Sequence, residues 1–200
     1  IDEISMNYQP RALRQSCLHM FYFGELGFAE KIFKILNQNE DASRCAIKQK
    51  HVQEAINNIL FDKEKGMYFM GLNTPEESSP TWKWMPANTD KRYCLKHANI
   101  LAAYFGVCDD KTAKELIRKV MADEIESNCQ PYFLHYLLEA VYRLGLRDKY
   151  TLEIINKWKK PVKDCPKGLV EGFIAPEPTY SFDHSHAWGG TPLYSLPKAL

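Results

Sequence analysis

The residues of this chain that could carry chemistry lie close together near its C-terminal end. Glu171 stands among apolar and glycine neighbours in the sequence GLVEGF, and Asp183, His184, His186 and Trp188 follow within twenty residues. Apolar neighbours can desolvate a carboxylate, which suits a general base. An indole offers an apolar face to the C–H surface of a sugar, while nearby polar groups take its hydroxyls. We therefore interpret this region as a functional site of a kind that can bind a sugar.

Other roles for these residues stay open. Glu171 could be an ordinary glutamate of a surface loop. Asp183, His184 and His186 could bind zinc, since alternate histidines can converge on one ion. No further ligand follows these residues at the usual spacing, so we expect neither a metal nor another cofactor here. Asp183 could equally cap the helix that follows it.

Composition narrows the class of protein. With 200 residues, 45% of them hydrophobic, the chain can bury a core, and we expect residues 1–200 to form one helical domain. The net charge of +1 is spread along the chain, which argues against a nucleic-acid partner. The apolar run 100–107 is too short to cross a membrane. Six cysteines without a C-x-x-C pair slightly favour a reducing compartment such as the cytoplasm.

Helices dominate the predicted elements. In the N-terminal half, a helix is predicted over 10–26, ended by Gly24 and Gly27. A helix-rich stretch over 28–60 should break near 37–40, and a short strand should follow at 67–70.

The second half alternates two kinds of helix. Mainly apolar helices are predicted over 93–105 and 131–144, and amphipathic ones over 111–122 and 149–159. The last of these should bury Leu152, Ile154, Ile155 and Trp158. A helix that is apolar all round is buried on both sides, whereas an amphipathic helix faces water. We therefore expect inner helices covered by an outer layer.

This alternation predicts an all-α fold built from repeated helical hairpins. Gly106 and Gly145 end the two apolar helices and lie about 40 residues apart, roughly one hairpin. Such repeats form either an α-solenoid or a closed α/α toroid. The long loop carrying Trp82 and Trp84 and the loop carrying Glu171 each enter an inner helix, so both fall on the same rim. That convergence favours the toroid.

Several side chains on this rim have two possible roles. Trp82 and Trp84 could pin the long loop by packing or could stack on a sugar. His97 and Asn99 open an inner helix and could contact substrate or hydrogen-bond at the helix start.

Several short motifs, in this order and spacing, are similar to one family of enzymes. They are LFD at 60–62, GMY at 66–68, KHANILA at 96–102, PYF and YLLEA at 131–133 and 136–140, EGF at 171–173 and SHAWG at 185–189. The chain resembles the C-terminal half of the catalytic domain of bacterial α-L-rhamnosidases, family 78 of the glycoside hydrolases. The resemblance implies an (α/α)6 toroid, with at most one short β-hairpin, that hydrolyses a terminal rhamnosyl bond with inversion.

The resemblance also implies residue roles. Glu171 matches the general base, and His186 and Trp188 match residues that line the sugar pocket. We extend substrate binding, as an expectation, to five further residues: His184, Asp183, Trp82 and Trp84 on the loops of this rim, and His97 at the start of an inner helix. The expected partner is a carbohydrate.

The chain departs from the family in two ways. The residues just before Glu171 are not the threonines and tryptophan common in the family, which bears on sugar specificity. The acidic motif that carries the general acid has no match here, and six hairpins need about twice this length. We therefore expect a fragment that is inactive alone and that could self-associate through exposed apolar helix faces. A non-catalytic domain that binds carbohydrate or protein, and a phosphorylase or lyase, are the alternatives.

Overall fold

The computed structural model describes residues 15–71, 94–125, 127–164, 166, 168–173 and 186–199. They divide into two compact units, 15–125 and 127–199. The expectation of a single domain stays a prediction. No helix within the described ranges combines the length and the apolar character that a membrane span requires.

The first unit opens with a pair of long packed helices. Helix α1 covers Ser16–Ile35 and helix α2 covers Asn39–Ile59. The chain turns between them at 36–38, where Asn37 has a φ of 57°, so the predicted break is confirmed. The start of α1 is tied to the segment that follows the β-hairpin, because the Ser16 N–H donates to the Met70 carbonyl at 2.8 Å.

The predicted end of the first helix at Gly24 and Gly27 is wrong, since α1 continues through both glycines. Their role is close packing. A Cβ at position 24 would lie 2.2 Å from the ring of Phe105, and one at position 27 would lie 2.5 Å from Nε2 of Gln49. At position 24 the Phe105 ring occupies the space that a side chain would need, whereas at position 27 the obstacle is the flexible end of the Gln49 side chain.

A two-stranded antiparallel hairpin follows α2. Strand β1 is Phe61–Asp62 and strand β2 is Met67–Tyr68, with Phe61 opposite Tyr68. Gly66 supplies the positive φ of 61° that the turn needs. The strand is thus shorter than the predicted 67–70.

Helices α3 and α4 confirm the predicted inner and outer layers. Helix α3 (Lys96–Phe105) is buried along most of its length, and Gly106 ends it in the left-handed region at φ 73°. Helix α4 (Asp110–Met121) buries one apolar face and exposes its charged one. Asp109 caps α4 by accepting a hydrogen bond from the Thr112 N–H at 2.8 Å.

The second unit is built around α5. The elements in order are α5 (Pro131–Arg143), α6 (Arg147–Ile155), a 3-10 turn (Asn156–Trp158), α7 (Lys159–Asp164), a second 3-10 turn (Ala187–Gly190) and α8 (Thr191–Ala199). Helix α5 packs against α6, α8 and the second 3-10 turn. Its Glu139 forms an ion pair with Lys198 of α8 at 2.8 Å. Leu152 on α6 was expected to be buried but is 74% exposed, so that prediction is wrong.

Apolar side chains also remain exposed on α1. The largest exposures lie along one stripe at helical spacing, which includes Leu18 at 65%, Ile32 at 56% and Ile35 at 79%. A stripe of this kind is typical of a surface that packs against another element.

Candidate active site

The loop 168–173 carries Glu171 and lies against the second 3-10 turn. The His186 N–H donates to the Leu169 carbonyl at 2.7 Å. A Cβ added at Gly189 would lie 2.5 Å from the Val170 carbonyl oxygen. The two backbones approach so closely that only glycine fits at position 189 without displacement. The sequence therefore places Glu171 beside the turn that carries Trp188.

The backbone around Glu171 is held on both sides. The Trp188 indole N–H donates to the Glu171 carbonyl at 3.2 Å. The Phe173 N–H donates to Oε1 of Gln130, which opens α5, at 2.8 Å. Glu171 thus has fixed backbone contacts on elements that are distant in sequence.

The Glu171 side chain is half-buried. Within the described part of the chain, its carboxylate takes part in no hydrogen bond and no ion pair.

An aromatic cluster adjoins the loop. The His186 imidazole stacks on the Trp188 indole, with ring centroids 3.7 Å apart and an interplanar angle of 24°. The Tyr132 ring approaches the same indole at 5.2 Å with a tilt of 55°. His186 covers one face of the indole, so at most the other face is left for a sugar. Sequence reasoning did not foresee this stacking.

His186 has distinct surroundings at its two ring nitrogens. Its Nδ1 is buried and has no hydrogen-bond partner among the residues that the structure describes. No hydrogen bond of Nε2 is seen within those residues either. Among the residues that the structure describes, the contact that holds the imidazole is its stack on the Trp188 indole.

The turn that carries Trp188 is itself clamped to the unit's core. The indole N–H of Trp158 donates to the Gly189 carbonyl at 2.8 Å. The Trp158 ring also meets the Phe173 ring edge-on, with centroids 4.9 Å apart. The Thr191 hydroxyl donates to the Trp188 carbonyl at 3.0 Å. Trp158 therefore links the turn to the loop that carries Glu171.

Of the site residues predicted from sequence, Glu171, His186 and Trp188 are brought together. Trp82, Trp84, Asp183 and His184 lie outside the described residues. The zinc alternative depends on two of those, so it is not tested. In the described ranges no group of three or more His, Cys, Asp or Glu side chains could hold a metal.

His97 and Asn99 belong to the other compact unit, where they open α3. His97 is only 5% exposed. The Asn99 side chain accepts from the Tyr68 N–H at 2.8 Å and donates to the Leu95 carbonyl at 2.8 Å. Asn99 therefore has the hydrogen-bonding role at a helix start, and it fixes β2 to α3.

Sequence reasoning missed Gln130, Tyr132 and Trp158. Trp158 was assigned only to a buried face, and Tyr132 only to a family motif. One signal pointed to Gln130: a polar residue directly before the proline that begins an apolar helix. Its partner, 43 residues away, could not be read from the sequence.

These features define a class of fold. The chain is all-α with one short β-hairpin among the described residues, and its hairpins of buried and half-exposed helices are of the (α/α)6 toroid type. The predicted fold class is confirmed by comparison with solved structures.

Two solved structures share this fold. The first is a rhamnosidase from Klebsiella oxytoca with rhamnose bound, with a TM-score of 0.72 and 18% identity over 92% of this chain. The second is a GH78 family rhamnosidase from Bacillus sp. GL1, with a TM-score of 0.70 and 16% identity over 93% of this chain. This chain spans 34% and 19% of their respective lengths. At such identities the likeness is one of fold.

No family model and no curated protein matches the chain.

Proposed function

We propose that this chain forms the C-terminal part of the catalytic domain of an inverting glycoside hydrolase that removes terminal α-L-rhamnosyl groups. The proposal rests on one observation above all. A half-buried glutamate, Glu171, lies on a loop whose backbone is held by the indole of Trp188, and His186 stacks on that indole. The likeness in fold to two rhamnosidases supports the substrate class.

Glu171 acts as the general base in this proposal. Its carboxylate takes a proton from the water that attacks the anomeric carbon, while a carboxylic acid on the opposite side protonates the leaving oxygen. Inverting enzymes hold the two groups roughly 6.5–9.5 Å apart to admit that water. We assign the general acid to a part of the natural protein outside this chain, because no residue here matches the acidic motif expected for it.

Trp188 and His186 bind the sugar. The indole face that His186 leaves uncovered stacks on the C–H surface of the ring, and the imidazole Nε2 takes a hydroxyl. We propose Asp183, His184, Trp82 and Trp84 as further contacts with the glycan. His97 is only 5% exposed, so its contact with substrate stays a prediction from the sequence.

The experiment that tests this proposal uses the natural full-length protein and an aryl α-L-rhamnoside. Proton NMR during the first minutes of reaction should show the anomer of inverted configuration as the first product. First appearance of the retained anomer, or release that requires added phosphate, would contradict the mechanism. An aryl β-D-glucoside serves as the substrate control and should react far more slowly.

A non-catalytic carbohydrate-binding domain is the second candidate. The absence of a match to the general-acid motif favours it, because half of an acid–base pair does not hydrolyse a glycoside efficiently. Calorimetry with rhamnose separates the two candidates. Binding by the full-length protein without any turnover would select the second one.

A further inference from the structure

The side chain of Gln130, the residue directly before α5, does not cap that helix. Gln130 precedes Pro131 with extended backbone angles, φ −86° and ψ 171°, and its side chain makes no capping hydrogen bond to α5. Gln130 is nevertheless only 2% exposed. Burying an amide costs free energy unless the amide is hydrogen-bonded, so the Gln130 side chain needs a partner outside its own helix.

That partner lies on the loop of the candidate active site. Gln130 Oε1 accepts a hydrogen bond from the Phe173 N–H at 2.8 Å, a normal distance for such a bond. Phe173 lies two residues beyond Glu171, and the carbonyl of Glu171 is bonded to the Trp188 indole at 3.2 Å. The peptide units around Glu171 are therefore fixed from both directions, on one side by Trp188 and on the other by Gln130.

The first turn of α5 also contacts the opposite side of the site. Tyr132 lies against the Trp188 indole at 5.2 Å. The Thr191 hydroxyl, which donates to the Trp188 carbonyl, also lies 3.3 Å from the Pro131 carbonyl oxygen. Three consecutive residues, 130–132, thus contact both the loop of Glu171 and the turn of Trp188.

We propose that Gln130 is a positioning residue for Glu171: its hydrogen bond to Phe173 sets where the carboxylate of the general base lies relative to Trp188. This inference rests on the proposed function, since it assigns to Gln130 an effect on the chemical step. A general base must lie within hydrogen-bond reach of the water it activates. An error of about 1 Å in such a group can cost on the order of 100-fold in rate.

The test compares three variants of the full-length protein. Gln130→Leu removes the acceptor at similar size, and Gln130→Glu keeps an acceptor oxygen at the same position. Gln53→Leu is the control, because the Gln53 side-chain amide also hydrogen-bonds the backbone, here by donating to the Val107 carbonyl at 3.0 Å, but Gln53 belongs to the other compact unit. The measurements are kcat and KM for an aryl rhamnoside, and amide hydrogen exchange of Phe173.

We expect Gln130→Leu to lower kcat by about 10- to 100-fold with KM within about threefold. Gln130→Glu should restore kcat to within about threefold of the wild type, because it keeps the hydrogen bond. The Phe173 amide should exchange at least about 10-fold faster in Gln130→Leu, while the amides of α5 keep their protection. Gln53→Leu should leave kcat unchanged.

Wild-type kcat in Gln130→Leu would overturn the inference, as would a loss in Gln130→Glu equal to that in Gln130→Leu. If Gln130→Leu does not fold, Gln130→Met replaces it with an unbranched side chain of the same length. A parallel Glu171→Gln variant separates the two proposals, because its full activity would reject the assigned base. Whatever the result for Glu171→Gln, amide exchange of Phe173 tests whether Gln130 holds the loop. An unchanged exchange rate in Gln130→Leu would show that Gln130 does not hold it.

Discussion

Substitution of Gly189 by alanine tests the close approach on which the site depends. A Cβ at this position would lie 2.5 Å from the Val170 carbonyl oxygen and 3.1 Å from the Leu169 carbonyl carbon, where ordinary contact begins at 3.4 Å. The loop and the turn must therefore separate by about 0.9 Å, because both obstacles are backbone atoms that no rotamer change can remove. The loop that moves is the one that carries Glu171.

This displacement has an expected magnitude. Overpacking of this kind costs about 1–3 kcal/mol, offset by up to about 1 kcal/mol because alanine restricts the unfolded chain more than glycine. A shift of nearly 1 Å in a general base should lower kcat by about 10- to 100-fold. At an assay temperature well below the Tm, nearly all of the variant is still folded. The fall in kcat should therefore be larger than the unfolded fraction alone would cause.

Gly190→Ala is the matched control. The nearest atoms to a Cβ there are side-chain carbons of Leu169 at 3.3 Å and Leu193 at 3.8 Å, which can rotate away. We expect its free energy of unfolding to stay within about 0.5 kcal/mol of the wild type and its kcat within about twofold. Thermal unfolding and rhamnoside turnover of both variants in the full-length protein provide the assay. Equal behaviour of the two variants would refute the packing described between the loop and the turn.

Three further predictions concern stability and association. Gly24→Ala should lose about 1–3 kcal/mol of unfolding free energy, because its Cβ would lie 2.2 Å from a ring carbon of Phe105. Gly27→Ala is the control: its Cβ meets only the flexible end of Gln49, so its unfolding free energy should stay within about 1 kcal/mol of the wild type. Urea titration of both variants measures the difference. Burial lowers the pKa of His135 below 6.5, so the unfolded state binds the proton more readily and unfolding free energy falls as pH drops below 6.5. His135→Gln should reduce this loss of unfolding free energy at low pH. An unfolding free energy with the same pH dependence in His135→Gln and the wild type would contradict the prediction. Substituting Leu18 and Ile32, both on the exposed stripe of α1, by charged residues should reduce self-association of this 200-residue chain. Sedimentation velocity measures the fraction of chain that associates.

Patterns that depend on local sequence were predictable. The burial of α3 and α5, and their ends at Gly106 and Gly145, follow from apolar content and from the left-handed conformation that glycine adopts.

Features that depend on tertiary contacts were not predictable. Gly24 was interpreted as a helix end, yet it lies inside α1. A glycine stands there because the Phe105 ring occupies the space that a side chain would need. At the site, the sequence predicted Glu171 and Trp188 as neighbours, since only a short stretch of chain separates them. It could not predict Gln130 as a contact of the same loop, because that hydrogen bond joins residues brought together only by folding.

The most direct measurement is kcat of Glu171→Gln in the natural full-length protein, with the affinity for rhamnose measured by calorimetry on the same samples. Glu153→Gln, an exposed glutamate on α6, provides the control. We predict that Glu171→Gln loses about 100- to 10,000-fold in kcat while its Kd for rhamnose stays within about threefold, and that the control keeps both values. Turnover by Glu171→Gln within about threefold of the wild type would contradict the assignment of Glu171 as the general base.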